Sequence, residues 1–174
     1  LLEILPLTQL KTLEIGEFSS DALTVLCSRQ GTQLQRLTLT NRSYWFGLVD
    51  RQQYARRLDQ STLHLIAHSG ILETVTQLEI KHERVGDDIL LLLEKMNAGQ
   101  LISLDLVDVD LTDEGAEKLA NLPQLSNLTS LNLSENQITQ RGVIALMRSP
   151  YLTQLRHLNL GSRFDNPYYG GDAN

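Results

Sequence analysis

Apolar residues recur along the chain in triplets spaced three and then two positions apart: Leu10, Leu13, Ile15; Leu34, Leu37, Leu39; Val75, Leu78, Ile80; Leu101, Leu104, Leu106; Leu128, Leu131, Leu133; and Leu155, Leu158, Leu160. Successive triplets start 24, 41, 26, 27 and 27 residues apart. Self-similarity at such a period marks a repeat architecture, in which each unit covers the apolar face of the next. Within a triplet the LxL alternation has the period of two that a short strand with one buried face requires. The segments that follow change period. "LTDEGAEKLANL" (Leu111 to Leu122) and "ITQRGVIALMRS" (Ile138 to Ser149) place Ala116, Leu119 and Ala120, and Val143, Leu146 and Met147, at helical spacing. Thr112 or Asp113 supplies an N-cap, and Glu114 and Glu117 sit in the first turn, where the helix dipole favours anions. Each unit therefore predicts strand, turn, helix and return.

"LTSLNLSENQITQRGVIALM" (Leu128 to Met147) and "LISLDLVDVDLTDEGAEKLA" (Leu101 to Ala120) resemble leucine-rich repeats of the ribonuclease-inhibitor type. That resemblance implies an α/β solenoid of about six repeats, a curved arc with a parallel β-sheet on its concave side and helices on its convex side. It also implies a protein that binds other proteins. The family's Asn, three residues after the last strand leucine, is present here as Asn136. Phe18, Arg42, Glu83, Val109 and Arg163 hold the equivalent positions, so the turn there must be secured in another way.

In such a frame the residues between the buried leucines form columns on the open face of the sheet. The central column is Glu14, Thr38, Glu79, Asp105, Asn132 and Asn159. Two positions earlier stand Thr12, Arg36, Gln77, Ser103, Ser130 and His157; two later, Gly16, Thr40, Lys81, Val107, Ser134 and Gly161. The next column is Glu17, Asn41, His82, Asp108, Glu135 and Ser162. Strands about 4.8 Å apart make Glu79 and Asp105 mutually repulsive neighbours. The candidate partner-binding residues on this face are Arg36, Glu79, Lys81, Asp105, Asp108, Asn132, Glu135 and His157, set against the alternative of a merely solvated sheet surface.

The long interval holds an insert, residues 41–61, in the second repeat. It contains "SYWFG" (Ser43 to Gly47) and a helical stretch follows it to about Ser69. Arg42, Arg51, Arg56 and Arg57 outnumber Asp50 and Asp59, in a chain whose 15 basic and 21 acidic residues give −6. Aromatic rings beside arginines are the composition of interface hot spots. Arg42, Tyr44, Trp45 and Phe46 are accordingly expected to form a protruding partner-binding tip, the alternative being a lid over the helix at Leu58 and Leu65.

The net negative charge disfavours a nucleic acid or an anionic membrane as partner and favours a basic protein surface. The longest apolar run, Ile89 to Leu93, is flanked by Asp87, Asp88, Glu94 and Lys95 and is too short to span a bilayer; it reads as a buried helix face. Cys27 is the single cysteine, which points to a reducing, cytoplasmic setting and, beside Leu23 and Leu26, to a core position. The chain 1–174 reads as one domain and as a piece of a longer protein.

Phosphate loops, nucleophile elbows, paired cysteines and kinase signatures are lacking. The acidic run Asp105 to Glu114 has no mid-loop glycine of the kind a calcium loop needs. His64 and His68 lie one helical turn apart, but no glutamate follows His64, and Arg57 stands on the same face; a solvated helix surface is expected. No metal, no cofactor and no catalytic centre are therefore expected. The resulting reading is a non-catalytic protein-interaction module. Its alternatives are a sensing or regulatory segment of a larger signalling or effector protein and, from another class, an enzyme using the acidic columns.

Overall fold

The computed structural model describes residues 9–16, 27, 33–40 and 58–161. Six strands, β1 (Thr12–Gly16), β2 (Arg36–Thr40), β3 (Gln77–Lys81), β4 (Ser103–Val107), β5 (Ser130–Asn132) and β6 (His157–Asn159), form one parallel sheet in sequence order. The register is the one the triplets require: Leu37 pairs with Leu78, Leu78 with Leu104, Leu104 with Leu131, and Leu131 with Leu158. Consecutive strands run parallel, so each connection must cross back over the sheet. Helices α1 (Gln60–His68), α2 (Leu90–Lys95), α3 (Asp113–Ala120) and α4 (Gln140–Met147) lie in the last four of these crossings.

The leucines of the strands and the inner residues of the helices share one core. Leu78, Ile80, Leu104, Leu106, Leu131 and Leu133 are buried with Leu63, Ile66, Leu92, Leu93, Leu119 and Leu146. The apolar run at Ile89 to Leu93 enters through a 3-10 turn at Gly86–Ile89 and then forms α2, with Ile89, Leu90, Leu92 and Leu93 inside. Cys27 is buried as expected, and that burial pushes its thiol up, partly offset by a hydrogen bond with Ser69. One helix expectation fails. Met147 is 73 % exposed, and Ile144 is exposed too, because α4 packs on α3 through its other side, at Gly142 and Leu146.

Asn136 secures the turn as the resemblance implies. Its Oδ1 accepts from the backbone N–H of Val109 (3.1 Å) and Leu111 (3.0 Å), and its Nδ2 donates to the carbonyls of Leu106 (2.6 Å) and Leu133 (2.9 Å). One side chain thus satisfies backbone groups in two repeats, groups that would be costly to bury unpaired. Glu83 and Val109 occupy the same position in the preceding repeats and are buried. There the backbone itself bridges the repeats, with His82 N–H donating to Val107 O and Gly86 N–H to Val109 O.

Candidate functional site

Alternation along each strand turns one set of side chains into the core and leaves the other on the opposite face. The register places Glu14, Thr38, Glu79, Asp105, Asn132 and Asn159 side by side across all six strands. Exposure along this row is uneven. Thr38 and Thr40 are buried, Glu79, Lys81, Asp105, Asn132 and Glu135 are half-buried, and Arg36, His157 and Asn159 are exposed.

The side chains are organised into short links within and between strands. Nε of Arg36 donates to Gln77 Oε1 at 2.7 Å, and the Thr38 hydroxyl donates to Glu79 Oε2 at 3.3 Å. Lys81 forms an ion pair with Glu79. Asn132 accepts from the Ser134 backbone N–H through its Oδ1 and also bonds to the Asp105 carboxylate. Burial pushes Asp105 above the usual aspartate range; Lys81 opposes the shift, the neighbouring Glu79 adds to it, and Asn132 opposes it. Glu79 thus disfavours the ionised Asp105, as their adjacency leads one to expect, and does so less than burial.

Asp108 departs from the expectation of an exposed face residue. It is 7 % exposed, and its Oδ2 lies 3.2 Å from Nδ1 of His82 in the previous repeat. The position is also left-handed: His82, Asp108 and Glu135, equivalent in three consecutive repeats, have φ of +57°, +53° and +64°. A left-handed residue turns the chain out of the strand, so its side chain no longer follows the alternation of the columns. Arg84 donates to Asp110 at 2.9 Å by the same one-repeat step. Of the expected face, Glu79, Lys81, Asp105 and Asn132 come together at its centre, Arg36 and His157 lie towards its two sides, and Asp108 belongs to the rim. Arg42, Tyr44, Trp45 and Phe46 lie outside the described residues, as does the insert except for residues 58–61.

A network that the sequence reading did not contain joins the helices. The Thr112 backbone N–H (2.9 Å) and hydroxyl (2.7 Å) donate to the Asp87 carboxylate, one repeat earlier. Thr139 repeats this on Asp113, at 2.8 and 2.5 Å, and the Gly142 N–H donates to the same carboxylate at 2.9 Å. The signal available in the sequence was the shared Thr-x-x-Gly of Thr112 to Gly115 and Thr139 to Gly142. These groups are structural, since the carboxylates are committed to the next repeat. On the same side, a shallow groove of about 550 Å³ between α3 and α4 is lined by Ala120, Arg141, Ile144, Ala145 and Arg148. Arg141 is held there by Glu117 at 2.6 and 3.1 Å.

Among the described residues no group of three or more His, Cys, Asp or Glu is placed to hold a metal ion. No helix among them is long and apolar enough to cross a membrane.

Residues 101–120 and 124–147 match a family model described as Leucine Rich repeat. These two units contain β4 with α3 and β5 with α4, and they support a leucine-rich repeat protein with an α/β repeat fold. Leucine-rich repeats generally mediate protein–protein interaction and are typically not enzymatic. No curated protein matches the chain.

Proposed function

We propose that this chain is a single non-catalytic protein-binding domain, a solenoid of about six leucine-rich repeats of the ribonuclease-inhibitor-like type, whose open sheet face docks a basic surface of a partner protein. The observation that carries the reading is Asp105. It stands at the centre of the face beside a second carboxylate, Glu79, and its ionised form is disfavoured by burial. A charge kept where it costs stability is characteristic of sites kept for binding. A cation delivered by a partner would offset both the cost of burying that charge and the repulsion from Glu79. Arg36, Lys81, Asn132, Glu135 and His157 frame the contact and set its register. The insert contributes a second contact through Arg42, Tyr44, Trp45 and Phe46, on the strength of their composition. The lone cysteine fits a reducing compartment.

Affinity capture with the intact chain, the Asp105→Lys variant and the Glu94→Lys variant tests this. Glu94 is an exposed residue of α2, and its reversal changes net charge by the same amount away from the face. A partner retained by the wild type and by Glu94→Lys, released by moderate salt and lost by Asp105→Lys, supports the reading. Equal retention by all three proteins would place the interaction elsewhere.

A further inference from the structure

Two histidines on the helix side stand apart from the sheet face. Helix α1 is capped by Asp59, whose carboxylate accepts from the Thr62 N–H at 2.8 Å, and Leu63 and Ile66 fix it in the core. His64 and His68, one turn apart, are left exposed on its outer side. Their ring centroids are 4.1 Å apart, with the planes tilted by 38°. Nδ1 of His68 lies 2.8 Å from the His64 carbonyl oxygen. A carbonyl only accepts, so this Nδ1 carries the proton, and in the neutral ring the lone pair then belongs to Nε2. An imidazole held through one nitrogen with a lone pair on the other is the arrangement in which histidine ligates metals. His68 also sits in the last turn of the helix, the end whose free carbonyls favour a cation.

We propose that His64 and His68 form a two-imidazole chelate for a borderline divalent transition cation, Cu²⁺ being held more tightly than Ni²⁺ or Zn²⁺, with water in the remaining positions. Two imidazole nitrogens sharing one ion at about 2.0–2.1 Å from each stand about 3 Å apart, a separation within reach of two rings whose centroids are 4.1 Å apart and whose planes are tilted rather than parallel. Spacing alone favours a solvated helix surface, because no third ligand stands nearby among the described residues. The close approach of the rings and the tether to the His64 carbonyl are what spacing cannot show, and a chelate completed by solvent needs no third residue. The ion would stay open to exchange, unlike a closed structural site.

Cu²⁺ titrated into the intact chain at neutral pH, followed by calorimetry and by electron paramagnetic resonance, tests the proposal. One ion per chain is expected, with hyperfine splitting from two imidazole nitrogens. His64→Gln and His68→Gln are each expected to weaken binding by at least about tenfold, the scale on which even outer-shell partners of a metal act. His157→Gln, on the sheet face, should leave binding unchanged. Both helix positions are exposed, so circular dichroism should show the variants folded. If the doubly substituted chain binds Cu²⁺ as the wild type does, or if the spectrum lacks the two-nitrogen pattern, the proposal is wrong.

Discussion

At the scale of single residues, two carboxylates with opposite shifts separate the groups that hold the fold from the group that faces outward. Asp113 lies below the usual aspartate range, chiefly because the Thr139 hydroxyl donates to it. Its contribution to stability is present above the unfolded-state pKa and is lost as pH falls through the lower folded value. Asp105 is raised, mainly by burial, and the sign reverses. Between its ordinary pKa of about 3.9 and the raised folded value, the native state binds more protons than the unfolded chain, so stability falls as pH rises. The cost is complete above the folded pKa and absent in acid. Asp105→Asn should therefore raise the denaturation midpoint at pH 7, with the gain shrinking to nothing as pH drops below the ordinary aspartate range. Chemical denaturation of both proteins across that range decides it. A wild type that is the more stable of the two at neutral pH would mean that Lys81 and Asn132 outweigh desolvation.

At the scale of elements, α3 and α4 are each tied to the preceding repeat by a Thr–Asp link that requires glycine. A Cβ on Gly115 would lie 2.1 Å from Asp87 Oδ1 and 2.7 Å from Leu111 Cδ1; one on Gly142 would lie 2.6 Å from Asp113 Oδ1. The near atoms are side-chain ends, but Asp87 is held by two bonds to Thr112 and Leu111 is in the core, so neither is free to yield. Alanine is the better helix former by about 0.8–1.0 kcal/mol, yet Gly115→Ala should destabilise the protein by about 1–3 kcal/mol, as overpacking does. In an Asp87→Ala background the penalty should shrink by at least about 0.5 kcal/mol, the coupling expected of groups in contact. A stabilising Gly115→Ala would show that the helices are not packed through this link.

This link also shows where sequence reading stops. The strands were legible because LxL alternation and a 26–27-residue period leave one register in which every leucine is buried. Helix α1 was legible for a similar reason, with a helical stretch expected to about Ser69 and observed over Gln60–His68. The Asp87–Thr112 bond was not, because it joins residues 25 positions apart that no local pattern connects. The burial of Asp108 was not legible either, because its contact with His82 joins residues 26 positions apart. Glu79 beside Asp105 was legible as a pair; the upward shift of Asp105 was not, since desolvation depends on what packs around the side chain.

At the scale of the whole molecule, repeats that touch only their neighbours make stability a sum of local terms and interfaces, so one substitution has different costs along the stack. Leu131 and Leu158 occupy the same position in adjacent repeats and are paired across β5 and β6. Leu131 is 1 % exposed, whereas Leu158 is 37 % exposed in β6, the last strand of the sheet order, all of whose residues are exposed. Leu131→Ala removes a side chain packed from both sides and should cost roughly 2–5 kcal/mol. Leu158→Ala leaves a smaller void that solvent can reach, and its cost should be less than half as large. Backbone amides should follow the same order, with β6 exchanging faster than β4 and β5 because local opening starts where few apolar contacts must break. Denaturation midpoints of the two variants, read with hydrogen exchange of the wild type, test the gradient. Equal losses would mean that the stack unfolds as one cooperative block and that its sixth strand is as well supported as its fifth.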